Sequence, residues 1–307
     1  MGRYVIRRLL QMIPVFFGTT LLIFFMVNVL GDPIAGLCGE RRCDPATAAR
    51  LASEFGLDKP AWQQYLTYLG NIFTGDFGTA FNGDKVIDLM GEAFPVTIKL
   101  TVVAIVFEIV IGISLGVVTG LRRGRPIDTG VLILTLVVIA VPTFVTGLLL
   151  QLLLGVEWGI IKPSVSPEAP IDELIVPGLV LASVSLAYVT RLTRTSIAEN
   201  ARADYVRTAV AKGLPRRRVI VRHLLRNSLI PVVTFIGTDV GALMGGAIVT
   251  ERIFNIHGVG YQLYQGILRQ SSQTVVGFVT VLVLVFLAAN LIVDLLYAVL
   301  DPRIRYA

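Results

Sequence analysis

Six apolar stretches, at about residues 9–30, 97–121, 129–154, 175–192, 228–250 and 274–299, dominate this sequence. Each is close to the roughly 20 residues an α-helix needs to cross about 30 Å of hydrocarbon. In lipid every backbone N–H and C=O must be satisfied inside the segment, so runs of this length are read as helices and not as strands. Hydrophobic residues make up 54% of the 307, charged residues only 16%, and the mean hydropathy is +0.75. A soluble fold of this length could not hide that much apolar surface. The reading is an all-α polytopic membrane protein with six transmembrane helices.

The basic residues orient those helices. Eighteen of the 27 Lys and Arg fall at 3–8, 122–125, 191–226 and 303–305, the short segments that share one side if both termini are cytoplasmic. Short-loop Lys and Arg set topology, so the net charge of +6 reflects membrane orientation and gives no reason to expect a nucleic-acid partner. Arg7 and Arg8 ahead of an apolar run imitate a secretory signal, but the run is long and no small-residue cleavage site closes it; an uncleaved first span is expected. The chain divides into 1–30 (terminal segment and first span), 31–96 (an extracytoplasmic loop region with short helices) and 97–307 (a five-helix core).

Within 31–96, the stretch 46–55 and the series Trp62, Tyr65, Tyr68 and Leu69 have helical spacing. The two cysteines, Cys38 and Cys43, share this loop, and on an oxidising side a disulfide between them is expected. With no second thiol pair or nearby histidine, they do not read as a metal site.

Between the fourth and fifth apolar runs lies a basic segment, 200–226. Gly213 supplies a left-handed residue that ends one helix, and Pro215 suits the first turn of the next. Two short helices with a sharp elbow are expected, forming a cytoplasmic docking platform. A DNA-reading helix-turn-helix pinned between two spans would have no free recognition face. The string Gly-Ile-Ser-Leu-Gly around Ser114 matches the nucleophile-elbow pattern, but small residues at this spacing inside a span read as a helix-packing face. No phosphate-cradling Gly-x-x-x-x-Gly-Lys-Ser/Thr occurs, so ATP and Mg, if used, belong to partner subunits and the chain itself is neither an enzyme nor a cofactor binder. Acids within spans are costly toward lipid, so Glu108, Asp239 and Asp294 should face the protein interior. Asp239, flanked by Gly237 and Gly241, is the candidate for a translocation path; Glu108 reads equally as a second path residue or a structural one, and Asp294 as structural.

Residues 204–214, Asp-Tyr-Val-Arg-Thr-Ala-Val-Ala-Lys-Gly-Leu, followed at 219–231 by Val-Ile-Val-Arg-His-Leu-Leu-Arg-Asn-Ser-Leu-Ile-Pro, resemble the coupling motif of ABC-importer permeases in their dipeptide/oligopeptide/nickel variant. The resemblance extends to Arg-Tyr-Val-Ile-Arg-Arg-Leu-Leu at 3–10, Gly-Asp-Phe-Gly-Thr at 75–79, Thr-Glu-Arg-Ile-Phe at 250–254 and the stretch 294–305, and is strongest to the dipeptide-permease-B type. It implies the type I importer architecture in a bacterial inner membrane. The implied partners are a second homologous permease, two cytoplasmic ATPases and an extracytoplasmic substrate-binding protein. It also assigns coupling to Tyr205, Val206, Arg207, Thr208, Ala209, Lys212, Gly213, Leu214 and Arg217, where Gly213 matches the motif's glycine and Ala209 its second alanine. Tyr205, Val206, Ala209 and Val210 are expected to offer the ATPase a snug apolar face. Peptides are the expected cargo; nickel chelates, glutathione or haem are the alternatives within the same architecture. An ion channel is the alternative of another class, opposed by the docking elbow and the lack of a polar filter ring.

Overall fold

A computed structural model describes residues 2–29, 44–54, 56–80 and 83–300, so Cys38 and Cys43 lie outside the described residues. In chain order the helices are α1 (Gly2–Phe24), α2 (Pro45–Glu54), α3 (Ala61–Thr74), α4 (Val86–Phe107), α5 (Ile113–Leu121), α6 (Pro126–Ala140) and α7 (Thr143–Leu150). There follow α8 (Ile175–Asn200), α9 (Asp204–Ala211), α10 (Arg216–Arg218), α11 (Leu225–Ser228), α12 (Ile230–Ile253), α13 (Val259–Leu268) and α14 (Ser272–Leu300). Among the described residues the only extended pairing is an isolated bridge between Thr79 and Lys85. Among the described residues, five helices are long and apolar enough to cross a membrane, and the α6 and α7 region supplies a sixth if its bent halves count as one span.

Three spans differ from the sequence reading, each for a local reason. The second begins at Val86 rather than near 97, because Val86, Met90 and Ala93 are buried and extend the helix beyond its most apolar part. Val86–Leu121 is 36 residues long, about 54 Å at 1.5 Å per residue, well beyond the hydrocarbon thickness. The third is not one helix. Pro142 excludes its predecessor from helical geometry, Val141 is extended (φ −88°, ψ 124°), and the halves meet at 98°. The fourth, short in apolar run, continues as helix to Asn200.

The chain forms two compact units, 1–97 with 255–288, and 98–254 with 289–307. In the first, α1 meets α3 through Phe24, Tyr65 and Tyr68, whose ring centroids lie 5.5 to 6.2 Å apart, with Thr20 and the Tyr65 hydroxyl at 3.0 Å. The helical spacing of Tyr65, Tyr68 and Leu69 thus forms the inner face of α3, while Trp62 is exposed. Phe94 and Phe278 stack with their planes 3° apart.

In the second unit α5 lies against α8. A Cβ on Gly112 would come within 2.9 Å of Val189, and one on Gly120 within 2.7 Å of Ile197. Gly116, midway, faces Thr193 and the Thr190 carbonyl. Glycines one turn apart let two backbones approach where a hydrophobic drive between helices is absent. The nucleophile-like string around Ser114 therefore supplies a packing stripe.

Candidate functional site

The elbow is built on the end of α8. Ala203 is extended (φ −69°, ψ 149°) and turns the chain into α9, whose buried Val206 and Ala209 join Ile197, Val219 and Leu224 in one apolar cluster bordered by Val117, Leu121, Leu214 and Leu225. Gly213 has φ +73°, and the N–H groups of Lys212, Gly213 and Leu214 return to the carbonyls of Thr208, Val210 and Ala209. That turn needs a left-handed residue, which glycine adopts without the Cβ penalty. Pro215 stands just ahead of the next helix (φ −63°, ψ 141°), one place earlier than the first-turn position expected of it.

Val206 and Ala209 therefore correct the expected outward apolar face, because burial against the chain's own Ile197 and Val219 claims them. What remains exposed is Tyr205, Arg207, Thr208, Val210, Lys212, Gly213 and the run Arg216, Arg217 and Arg218. Tyr205 donates its hydroxyl to Asn200 Oδ1 at 2.8 Å, tying α9 back to α8. Ser228 donates to the Ser196 carbonyl at 3.3 Å, closing the elbow's far arm on the same helix. The platform is thus an extension of α8, with a half-apolar and strongly basic outer surface.

Two turns before the end of α8, Arg194 reaches Asp128 at the start of α6, from Nε at 2.5 Å and from the second guanidinium arm at 2.8 Å. Asp128 also accepts the Gly124 N–H at 2.8 Å, and its side chain is only 3% exposed. In the sequence Arg194 counts only as one of the basic residues of 191–226. Its actual partner was illegible because the two residues lie 66 positions apart.

Deeper in the same unit, Glu108 and Asp239 come together. Glu108 opens a π-helical stretch (Glu108–Gly112) between α4 and α5, is fully buried, and accepts the Ser185 hydroxyl at 2.5 Å. Asp239, on α12, interacts with Glu108 and Ser185. Among the described residues, Glu108 Oε2 and Asp239 Oδ2 are buried without hydrogen-bond partners. Wide π-turns recur at functional positions because they re-aim side chains within a helix. Ser185 was not singled out from the sequence; a hydroxyl inside an apolar run opposite two intramembrane acids is the signal that could have found it. The side chain of Asp294 lies outside the described residues. Among the described residues no group of three or more His, Cys, Asp or Glu side chains is arranged to hold a metal ion.

Residues 112–306 match the family described as the binding-protein-dependent transport system inner membrane component, and residues 1–101 match the N-terminal part of that membrane component. The dipeptide transport system permease protein of Escherichia coli K12 is 38% identical over 337 aligned positions, covering 100% of this chain and 99% of that protein. The di/tripeptide transport system permease protein of Pseudomonas aeruginosa UCBPP-PA14 is 37% identical, with 99% and 98% covered. The oligopeptide transport system permease protein of Bacillus subtilis 168 is 34% identical, with both chains fully covered. An elbow seated on a long membrane helix, intramembrane carboxyls and a match over nearly the whole length place this chain in the family of inner membrane components of binding-protein-dependent transport systems.

Proposed function

We propose that this chain is the permease subunit of an ATP-driven importer of short peptides, forming half of the translocation path and carrying the surface on which a cytoplasmic ATPase docks. The peptide cargo rests on the end-to-end similarity to three permeases named for dipeptide, di/tripeptide and oligopeptide transport. The carrying observation for coupling is the 204–228 elbow: its inner face is fixed by Val206 and Ala209, while Tyr205, Val210 and five basic side chains between 207 and 218 face outward. Arg and Lys at such a rim suit acidic groups on a partner, and the half-exposed apolar residues suit a shallow groove.

In this reading both termini and the elbow face the cytoplasm of a bacterial cell, and a homologous permease completes the path. Two ATPases hold the ATP and Mg, and an extracytoplasmic binding protein delivers cargo. Closure of the ATPases on ATP would push the elbow. Because α9 is packed on the end of α8 and not hung from a loose loop, that push reaches the α5 and α8 contact and the Glu108, Ser185 and Asp239 cluster, where the packed spans exchange inward for outward access. Orphan carboxyl oxygens in that cluster suit a wet, cation-tolerant path that accepts a peptide's ammonium group.

Gly213→Val tests the docking assignment. A β-branched residue is strained at φ +73°, although its Cβ meets nothing within 4 Å, so the effect should be on the turn and not on packing. Uptake should fall by at least tenfold with the protein still in the membrane. Wild-type uptake together with wild-type stimulation of ATP hydrolysis would overturn the assignment.

A further inference from the structure

In the first compact unit, a cavity of about 480 Å³ opens among the end of α1, the segment from α2 to residue 79, and the start of α14. That is within the roughly 300–1,000 Å³ typical of small-ligand sites. Phe24, Ile72 and Val276 give it apolar walls, Asn71 and Gln273 give it neutral amides, and Lys59 lines it together with the acids Glu54 and Asp76.

The amide wall is built with care for geometry. The Thr79 N–H donates to Gln273 Oε1 at 2.8 Å, and the Gly78 N–H to Asp76 Oδ1 at 3.0 Å. Gly78 has φ +77°, and any Cβ there would lie 2.6 Å from the Gln273 carboxamide oxygen, so the loop can grip that carboxamide only with glycine. With its oxygen engaged, Gln273 keeps its two N–H donors for a ligand. The border also holds Gln270, a non-glycine residue at φ 53°, a conformation that persists where the surroundings impose it and that concentrates at binding sites.

We infer that this cavity is a binding site for a short zwitterionic peptide, a waypoint on the extracytoplasmic side before the translocation path. The chemistry matches part by part: a cation and two carboxylates for the opposite peptide termini, amides for its backbone, and apolar walls for its side chains. The inference rests on the peptide-importer reading for its ligand and for its sidedness, since the charge bias puts this end of α1 and α14 outside. Neither a lipid tail nor a metal ion matches the lining, the first because amides and charges of both signs would be buried against hydrocarbon, the second because carboxylates from only two residues are present.

The experiment uses the assembled transporter in nanodiscs without its binding protein, and the dipeptide alanyl-photoleucine, whose diazirine labels what it touches on illumination. Adducts mapped by mass spectrometry should fall within 53–79 and 270–277 and be suppressed by excess alanyl-leucine. Gln273→Glu keeps the acceptor for Thr79 and removes the free donors; it and Asn71→Leu, at an exposed position, should each weaken competable labelling about tenfold. Lys59→Gln should weaken labelling by the free dipeptide and not by its C-terminal amide. Adducts absent from these segments, indifferent to the competitor, or unchanged in all three variants would overturn the site. Uptake of the same dipeptide by cells carrying the complete system reads the importer assignment separately: uptake without labelling removes the waypoint alone, and absence of uptake removes the peptide cargo on which it rests.

Discussion

Arg194 grips Asp128 through two guanidinium nitrogens, at 2.5 and 2.8 Å, and so fastens the turn before α6 to α8 just ahead of the helix end that carries α9. Arginine's rigid fork fits such a two-point bond, and lysine could supply only one point.

Removing one partner of a desolvated pair costs more than removing both, since the survivor is left charged and alone. Arg194→Ala should lower stability by about 3 kcal/mol, and Arg194→Lys by less. Arg194→Ala combined with Asp128→Ala should recover a substantial part of the loss. Thermal unfolding of the detergent-solubilised protein, run as a double-variant cycle, measures this; identical midpoints for wild type and Arg194→Ala would remove the clamp from the account.

At Gly116 the α5 and α8 backbones are too close for any side chain. A Cβ there would lie 2.7 Å from the Thr190 carbonyl, and helix backbone cannot give way as a flexible side-chain tip can. Gly116→Ala should cost about 1–3 kcal/mol and Gly116→Leu should prevent accumulation in the membrane. Gly130→Ala, where a Cβ meets nothing within 4 Å, serves as the tolerated control. Equal membrane levels of Gly116→Leu and Gly130→Ala would contradict the packing stripe.

The pairing of Asp239 with Glu108 and Ser185 makes a path role separable from a packing role. Asp239→Asn keeps size and hydrogen-bonding capacity while removing the charge. Changed transport rates with normal assembly are expected, and Ser185→Ala should shift them in the same series because it frees Glu108 Oε1. Wild-type rates for every tested peptide in Asp239→Asn would detach this carboxyl from the path.

The loop ahead of α8 is held by a carboxylate. Glu173 accepts from Lys162 at 2.5 Å, from the Ser166 N–H at 2.7 Å and from the Ser166 hydroxyl at 3.0 Å, and the Lys162 bond, followed by the Ser166 N–H, holds its pKa down at about 2. Its folded value lies below the ordinary 4.5, so the stabilisation is complete above about pH 4.5 and disappears as pH falls toward 2. With Trp62→Phe leaving Trp158 as the sole tryptophan, fluorescence should be constant from pH 7 to 5 and change below 4, and Glu173→Gln should flatten that change. A transition equally large in Glu173→Gln would assign it to another group.

The elbow was legible in large part because its signals are local. A glycine that must turn left-handed, a proline just before the next helix and a run of arginines all lie within a dozen residues, and the same holds for the helical spacing of Tyr65, Tyr68 and Leu69. Pro142 was equally local, yet the apolar run on both sides of it hid the 98° break, because hydropathy measures preference for lipid and carries no backbone geometry.

By itself the sequence determined that the chain crosses a membrane, nearly where each span lies, and where its basic turns fall, since transfer of apolar side chains from water and the backbone's need for internal hydrogen bonds depend on composition and spacing alone. Only the tertiary structure decided that Val206 and Ala209 turn inward, that Arg194 meets Asp128, and that Glu108 and Asp239 share Ser185. The last two pairings join residues scores of positions apart, and which atoms meet is set by how glycine-lined helices close on one another; no periodicity within one helix encodes which residue of another it will face.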